Sequence, residues 1–397
     1  MEEHQEYLVY LENRLRLREQ SRSYRWTYPA RVVWNLFHPV SSSATEEHFA
    51  TKLKERWRHA AEDFETIRRS GQFDAKYACP WVEGNDHQAL HHYIERWRKN
   101  IYLRKPRPGF HPGIYASKNG IVDSDPFAHF IRSGLPEGPW SLPVIGTGNQ
   151  ARSEGECPGV ALHFHLYYVD QLNSILERLL KNRSRPDLFV SVSTDSDKRM
   201  VEEKFSSLGI ERAVVKKFQN RGRNFGPLFT GFREILFNYE IIGHLHTKSS
   251  PHLESGKEVE EWRNFLLSNL LGDEGPMMDS IIDTMLRDKS LGLVFPDDPN
   301  VFGWFENAPY SLALARKMKM DRFKPLEHIN FPVGSMFWAR TQALKPILEL
   351  NLDWEDYPAE PVADDGSMLH ALERMIPAIV RHAGFESAVI HARGTGR

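Results

Sequence analysis

Two rhythms of apolar residues divide the chain near residue 159. Ahead of that point apolar positions recur every three or four residues among charges, the spacing of one helix face. Tyr7, Leu8, Leu11, Leu15 and Leu17 predict a helix over 2–21, and 44–70, which holds no Gly or Pro, predicts a second, longer one. Beyond it, short apolar runs alternate with amphipathic stretches. VALHFHLYY, DLFVSVST, AVVKKFQ and IIGHLHTK read as strands, and DQLNSILERLLKN, DKRMVEEKFSSLG and GPLFTGFREILFNY as the helices between them. Each unit is long enough for a right-handed crossover, so the pattern predicts a parallel, doubly wound sheet. Two helices (EEWRNFLLSNLL and MDSIIDTMLRD) and a buried strand (LGLVFP) follow. FPVGSMFWAR, a helix over ALKPILEL, a last long helix (DGSMLHALERMIPAIVRHAG) and a closing strand (FESAVIHA) complete the chain.

An internal repeat lies in the helical half. Phe73 and Phe110 stand 37 residues apart, and the same offset pairs Leu90 with Phe127, His92 with His129, Tyr93 with Phe130 and Ile94 with Ile131. Two copies are too few for a solenoid and predict two helical hairpins of a small domain. His92 and His129 sit inside the apolar run of each copy, where a packing histidine is the expectation over a metal pair. Residues 134–158 are dense in Gly and Pro and predict a boundary. The expected organisation is an N-terminal helix and aromatic, basic segment over 1–43, a helical repeat domain over 44–140, a linker over 141–158, and an α/β domain with a mostly parallel sheet over 159–397.

Composition narrows the class. Lys plus Arg is 51 against 53 Asp plus Glu, a balance that gives no support for a nucleic-acid footprint. The two cysteines, Cys79 and Cys157, have no CxxC partner and no metal-ligand spacing, which fits a reducing compartment. The charged N-terminus lacks the apolar stretch of a signal peptide, and no apolar run reaches the ~18 residues of a membrane span. A cytoplasmic protein is expected. The mixture of arginines with Tyr24, Trp26, Tyr28, Trp34 and Phe37 over 21–37 suits peripheral contact with a membrane face as well as it suits a packed joint.

Ligands of an open parallel sheet bind beyond the carboxyl ends of its strands, so the loops there hold the candidate chemistry. After the second predicted strand, Asp195 can accept from a base or ribose hydroxyl, or the segment can cap its helix. After the third come Arg221, Gly222, Arg223 and Asn224, in a loop opening a helix with Pro227 near its start. Glycine permits close backbone approach, the helix start favours an anion, and arginine forks onto phosphate. After the fourth, period-two alternation puts His244, His246 and Lys248 on one face. Metal-dependent sugar transferases carry an Asp-x-Asp pair at this point. A His-x-His pair is a poor site for Mg²⁺ and acceptable for Zn²⁺. No cofactor is therefore firmly expected, and diphosphate binding by Lys248, Arg221 and Arg223 without a metal is favoured over a divalent ion. His246 joins this group, while His244 can equally be a core histidine. Ser335, Trp338 and Arg340 in FPVGSMFWAR suit a sugar or acceptor face, or core. Asp365, at the start of the last long helix, is the expected general base, with Asp364 and Glu373 behind it and His370 beside them.

Read in order, NRGRNFGP, HLHTKSS, FPVGSMFWAR and DDGSMLHALERM resemble the successive motifs of the rhamnan synthesis protein F family of bacterial surface-polysaccharide assembly. The resemblance covers about residues 159–393 and implies a GT-A-like nucleotide-sugar fold. It also implies a nucleotide-diphosphate sugar donor such as dTDP-rhamnose and a lipid-linked glycan acceptor. Arg221, Gly222, Arg223, Asn224 and Gly226 match its arginine-glycine motif, His246, Thr247 and Lys248 its histidine-lysine motif, and Asp365 and Gly366 its late acidic motif. The repeat resembles a module joined to such transferases, although its first copy carries Ala78-Cys79-Pro80 where aromatics are common. The expected function is an inverting hexosyltransferase extending O-antigen, capsule or rhamnan. The alternative is a non-catalytic sugar- or nucleotide-binding module of an assembly complex, and a zinc enzyme using the His244/His246 pair stands third.

Overall fold

The computed structural model describes residues 60–82, 84–146, 155–247, 256–273, 275–363 and 365–397. The helix expected over 2–21, the aromatic and basic segment over 21–37, Lys248 and Asp364 lie outside the described residues. The chain splits into two compact units, one holding the described residues up to Pro106 together with Tyr115–Pro136, the other Arg107–Ile114 with Glu137–Arg397.

The first unit is helical. Ala60–Ser70 is the described part of the helix expected over 44–70. Each repeat copy is a pair of helices, Ala75–Ala78 with Asp86–Lys99 and Pro112–Asn119 with Pro126–Arg132. Tyr77, Tyr93, Tyr115, Phe127 and Phe130 are buried. The Asp63 carboxylate accepts from the Asp125 N–H at 2.8 Å and pairs with Arg132 at 2.7 Å. His129 is a packing histidine, its Nδ1 2.8 Å from the Tyr115 hydroxyl. His92 differs from the expectation: the helix turns it outward and leaves it exposed.

The second unit is an eight-stranded sheet in the order β1-β8-β6-β7-β5-β2-β3-β4. The strands are β1 Val144–Ile145, β2 Gly155–Leu166, β3 Ser184–Val192, β4 Ala213–Lys217, β5 Ile241–His246, β6 Leu291–Pro296, β7 Phe337–Arg340 and β8 Glu386–Ile390. All neighbours are parallel except β7, which runs antiparallel to both β5 and β6. The α/β class with a mostly parallel sheet is thus the observed one. β7 runs against its neighbours because residues 297–336 return along the edge where β6 ends. The next strand then enters from that edge. The stretch expected as a linker also contains sheet: Val144 and Ile145 pair with Val389 and Ile390. The helix expected over 226–239 is instead a π turn, Pro227–Gly231, closed by the Phe232 N–H on the Pro227 carbonyl at 2.9 Å, and a short helix Arg233–Leu236. Such turns recur at functional sites.

Alternation along the strands makes two cores. Leu162, Phe164, Leu188, Val190, Leu245, Val294 and Trp338 face one layer of helices. Ala161, Phe189, Ile242, Leu293, Phe337 and Val389 face the other, built by Phe225–Leu236 and the helices Ala308–Lys317 and Met368–His382. Trp338 fits because Gly243 lacks a Cβ, which would stand 2.8 Å from its ring. Trp338 is 0% exposed, and its indole N–H reaches the Leu270 carbonyl at 3.3 Å, so it is core and cannot stack on a sugar. Trp338→Ala is expected to lower stability by about 3–5 kcal/mol, seen as a lower urea midpoint at unchanged slope. An unchanged midpoint would show that the ring is not packed as described.

Candidate functional site

From β2 the chain steps outward through β3 and β4, then returns to place β5 on the other side of β2. The carboxyl ends of β2 and β5 therefore flank a topological switch point, where open α/β sheets bind ligands. His165 of β2 and His246 of β5 are register partners there.

Beneath that edge lies a row of polar side chains on the second face of the sheet. Asn224 Nδ2 is 3.0 Å from His244 Nε2, and His244 Nδ1 is 2.9 Å from His163 Nδ1. His163 Nε2 lies 3.1 Å from Ser191 Oγ, which in turn is 2.9 Å from His165 Nδ1. The His163 and His244 rings are fully buried. Burial holds both well below the ordinary histidine value, so both are neutral. Burial, and then the neighbouring His246, push His165 down to about 3.

A second cluster joins the loops above the edge. The helix Met368–His382 starts at the carboxyl edge, capped by Ser367. Asp365 Oδ1 accepts from Asn307 Nδ2 at 2.7 Å and lies 3.4 Å from Arg374. Its side chain is 37% exposed, and its other oxygen has no partner among the described residues. His370 Nδ1 is 2.9 Å from Ser367 Oγ and 4.0 Å from Asp365, and His370 Nε2 is 3.2 Å from Arg223. One turn on, Glu373 accepts from the Gly334 N–H at 2.8 Å and from the Ser335 hydroxyl at 3.1 Å. The Gly334 carbonyl lies 2.6 Å from His246 Nε2. Arg223, His246, Ser335, Asp365, His370 and Glu373 are thus joined through direct contacts or one intervening residue. Two non-glycine residues of this group, Arg223 (φ 47°) and Ser335 (φ 60°), hold left-handed backbone, a strain that structures retain at sites where function fixes the geometry.

Other expected residues have different roles. Arg221 donates through Nε and Nη2 to the carbonyls of Glu355 and Tyr357, at 3.0–3.1 Å. Arg223 donates to the Val362 carbonyl at 3.1 Å as well as facing His370. The guanidinium groups expected to fork onto a diphosphate are therefore engaged largely with the main chain of the loop 355–363. Asn224 is buried under the edge rather than turned to a ligand. His246 is held by the Gly334 turn. Gly222, at φ 73°, makes room for Tyr357. Asp195 stands apart, exposed and 2.5 Å from Lys217; this pairing lowers its pKa. Arg340 is 4% exposed at the amino end of β5, donating to the carbonyls of Leu291, Met285 and Asp288 and paired with Glu240. It braces the opposite edge of the sheet and cannot reach a ligand at the carboxyl edge.

Sequence reasoning missed His163, His165, Ser191 and Asn307. Two His-x-His pairs on neighbouring strands were a readable signal for the first two. Asn307 had none, since it lies in an irregular stretch. Among the described residues no three His, Cys, Asp or Glu side chains converge as metal ligands, and no helix is long and apolar enough to cross a membrane.

The sequence profile of rhamnan synthesis protein F matches residues 127–385. An uncharacterized protein WxcX of Xanthomonas campestris pv. campestris, strain B100, is 32% identical over 232 residues, 57% of this chain and 32% of its own length. Its counterpart in a second strain matches equally. The chain thus spans about a third of the length of the curated relatives it matches. Among solved structures, a mannosyltransferase from Pyrobaculum calidifontis in complex with GDP-Man and Mn²⁺ is 11% identical at a TM-score of 0.31, covering 62% of this chain and 60% of its own.

Gly222→Ala is expected to cost about 1–3 kcal/mol, because the added Cβ meets Gly226 at 2.8 Å and Tyr357 at 2.9 Å. Gly209→Ala (φ 66°, nothing within 4 Å) carries the backbone term alone and should cost less in the same urea titration. Equal losses would contradict the close approach. The neutral rings also set a pH dependence. Unfolded histidine takes a proton near pH ~6.5. Below that the unfolded chain binds more protons than the folded one, and stability falls as pH drops, by up to about 1.4 kcal/mol per unit for each of His163 and His244. Asp125, pushed up to about 7 by burial, acts with the opposite sign in the other unit. Hydrogen exchange of β2 and β5 amides, corrected for intrinsic rates, resolves the two. Protection in these strands should fall between pH 6.5 and 5.5, and constant protection would contradict the assignment.

Proposed function

Given that the chain belongs to the rhamnan synthesis protein F family, we propose that its α/β unit is a glycosyltransferase. It moves rhamnose or a related sugar from a nucleoside diphosphate to a growing surface polysaccharide. The observation that carries this reading is the placement of Asp365. Its carboxylate is fixed through one oxygen by Asn307 and Arg374 at the carboxyl edge of the sheet. A carboxylate so held is oriented and keeps one oxygen for an acceptor's proton.

In the proposed reaction the second oxygen of Asp365 takes the proton of an acceptor hydroxyl. The acceptor oxygen, freed of its proton, attacks the anomeric carbon from the face opposite the diphosphate, and the bond from carbon to phosphate oxygen breaks with its electron pair leaving on the nucleoside diphosphate. The product has inverted configuration. Arg223 stands beside this site as a positive charge, 38% exposed, partly screened by water and 3.9 Å from Glu360, and favours the leaving anion through space rather than by a fork. His370, between Arg223 and Ser367, fixes that arginine in place.

Asp365→Asn is expected to reduce turnover from dTDP-rhamnose or the preferred donor about a thousandfold, with donor affinity by calorimetry within about threefold of wild type. A rate left intact contradicts the assignment. A donor that binds the wild-type protein without any transfer to a lipid-linked acceptor marks the binding-module reading instead.

A further inference from the structure

The buried row beneath the carboxyl edge has a direction. An amide nitrogen only donates, so Asn224 obliges His244 to accept on Nε2 and to carry its proton on Nδ1. That proton is given to His163 Nδ1, which places the His163 proton on Nε2. Ser191 Oγ receives it and turns its own hydrogen to His165 Nδ1 at 2.9 Å, in preference to the Phe164 carbonyl at 3.4 Å. His165 therefore accepts on Nδ1 and carries its proton on Nε2. The ring is half-buried at the end of β2 and Nε2 has no partner among the described residues.

We propose that His165 is a ligand-contacting residue of this site, its Nε2–H presented at the β2–β5 crevice as a hydrogen-bond donor to an acceptor oxygen of a nucleoside diphosphate. Three further observations converge on it. His165 sits at the switch point, in register with His246. Both arginines leave room for another donor, since Arg221 Nε and Nη2 face carbonyls and Arg223 faces carbonyls, His370 and, at 3.9 Å, Glu360. And the ring is neutral, so it stays a donor of fixed orientation rather than a mobile charge. Asn224, His244, His163 and Ser191 are positioning residues, which set the tautomer and touch no ligand. These partners explain why a serine, able to accept and donate at once, stands at position 191 inside the apolar run Leu188–Val192 of β3.

The inference rests on the reading of this crevice as the nucleotide-sugar site, and the test separates the two. Calorimetry uses UDP, dTDP and inorganic pyrophosphate on the full chain. His165→Phe is expected to weaken nucleotide binding about tenfold, whereas His165→Gln, which keeps a donor, stays within about threefold. Weakening that extends to pyrophosphate assigns the contact to a phosphate oxygen, and weakening confined to the nucleotides assigns it to the base or ribose. Wild-type protein that binds neither nucleotide sinks the transferase reading and this contact with it. Unchanged nucleotide binding by His165→Phe sinks the contact alone. Independently of any ligand, ¹⁵N-histidine spectra, with His165 assigned by its loss in His165→Gln, should show its proton on Nε2 at pH 7. Ser191→Ala should mix the two tautomers. A proton on Nδ1 in the wild type contradicts the relay.

Discussion

An imidazole can be buried inside a sheet only when each ring nitrogen meets a partner of the opposite kind, because an unmet polar atom there costs about 1–3 kcal/mol. Two such rings lie side by side between β2 and β5, 5.0 Å apart and nearly coplanar. Their demands couple four parts of the chain. Asn224 must come down from the loop after β4, Ser191 must face inward from β3, and His163 and His244 must hold one register between their strands. A slip of one residue would put the histidines on the opposite face, among Leu162, Phe164 and Leu245. The loop that carries Arg221, Gly222 and Arg223 is thus anchored from below, by Asn224, before it makes any contact above the edge.

Above the edge the same economy applies to charge. Arg374 is 9% exposed and stands between Asp365 and Glu373, so the buried cation is compensated by carboxylates on both sides. Glu373 then spends its other oxygen on the Gly334–Ser335 turn, which holds His246. Arg223 closes the arrangement through His370. The charged groups above the edge are thus already oriented by protein partners, which is the arrangement that the proposed transfer would need. Under the proposed reading, direct recognition of a ligand falls to atoms left over, the second Asp365 oxygen and His165 Nε2.

Much of this was legible in the sequence, for definite reasons. β2 to β5 could be recognised because each is an apolar run between amphipathic stretches long enough for a crossover, which makes the sheet parallel. The loops after them were the places to look for chemistry, which is how Arg223 and His246 were singled out, while Asp365, His370 and Glu373 were read from the start of the last long helix. The direction of β7 was not legible, since it depends on the edge to which residues 297–336 return. Trp338 and Arg340 were misplaced because residue type does not tell a strand's inner face from its rim, nor its amino end from its carboxyl end. The duties of Arg221 were hidden for another reason. Its partners are main-chain carbonyls of Glu355 and Tyr357, and no side chain announces them. Asn307 reaches Asp365 from 58 residues away, across a stretch without periodicity.

The account stands on the crevice between the carboxyl ends of β2 and β5 being the place where a nucleotide sugar binds. A crystal structure of the full chain soaked with dTDP-rhamnose or its UDP counterpart tests this most directly. The diphosphate is predicted over the ends of β2 and β5, with the sugar's anomeric carbon facing Asp365. Ordered ligand at the amino edge of the sheet, beside Arg340, or against the helical repeat with the crevice empty, would contradict it.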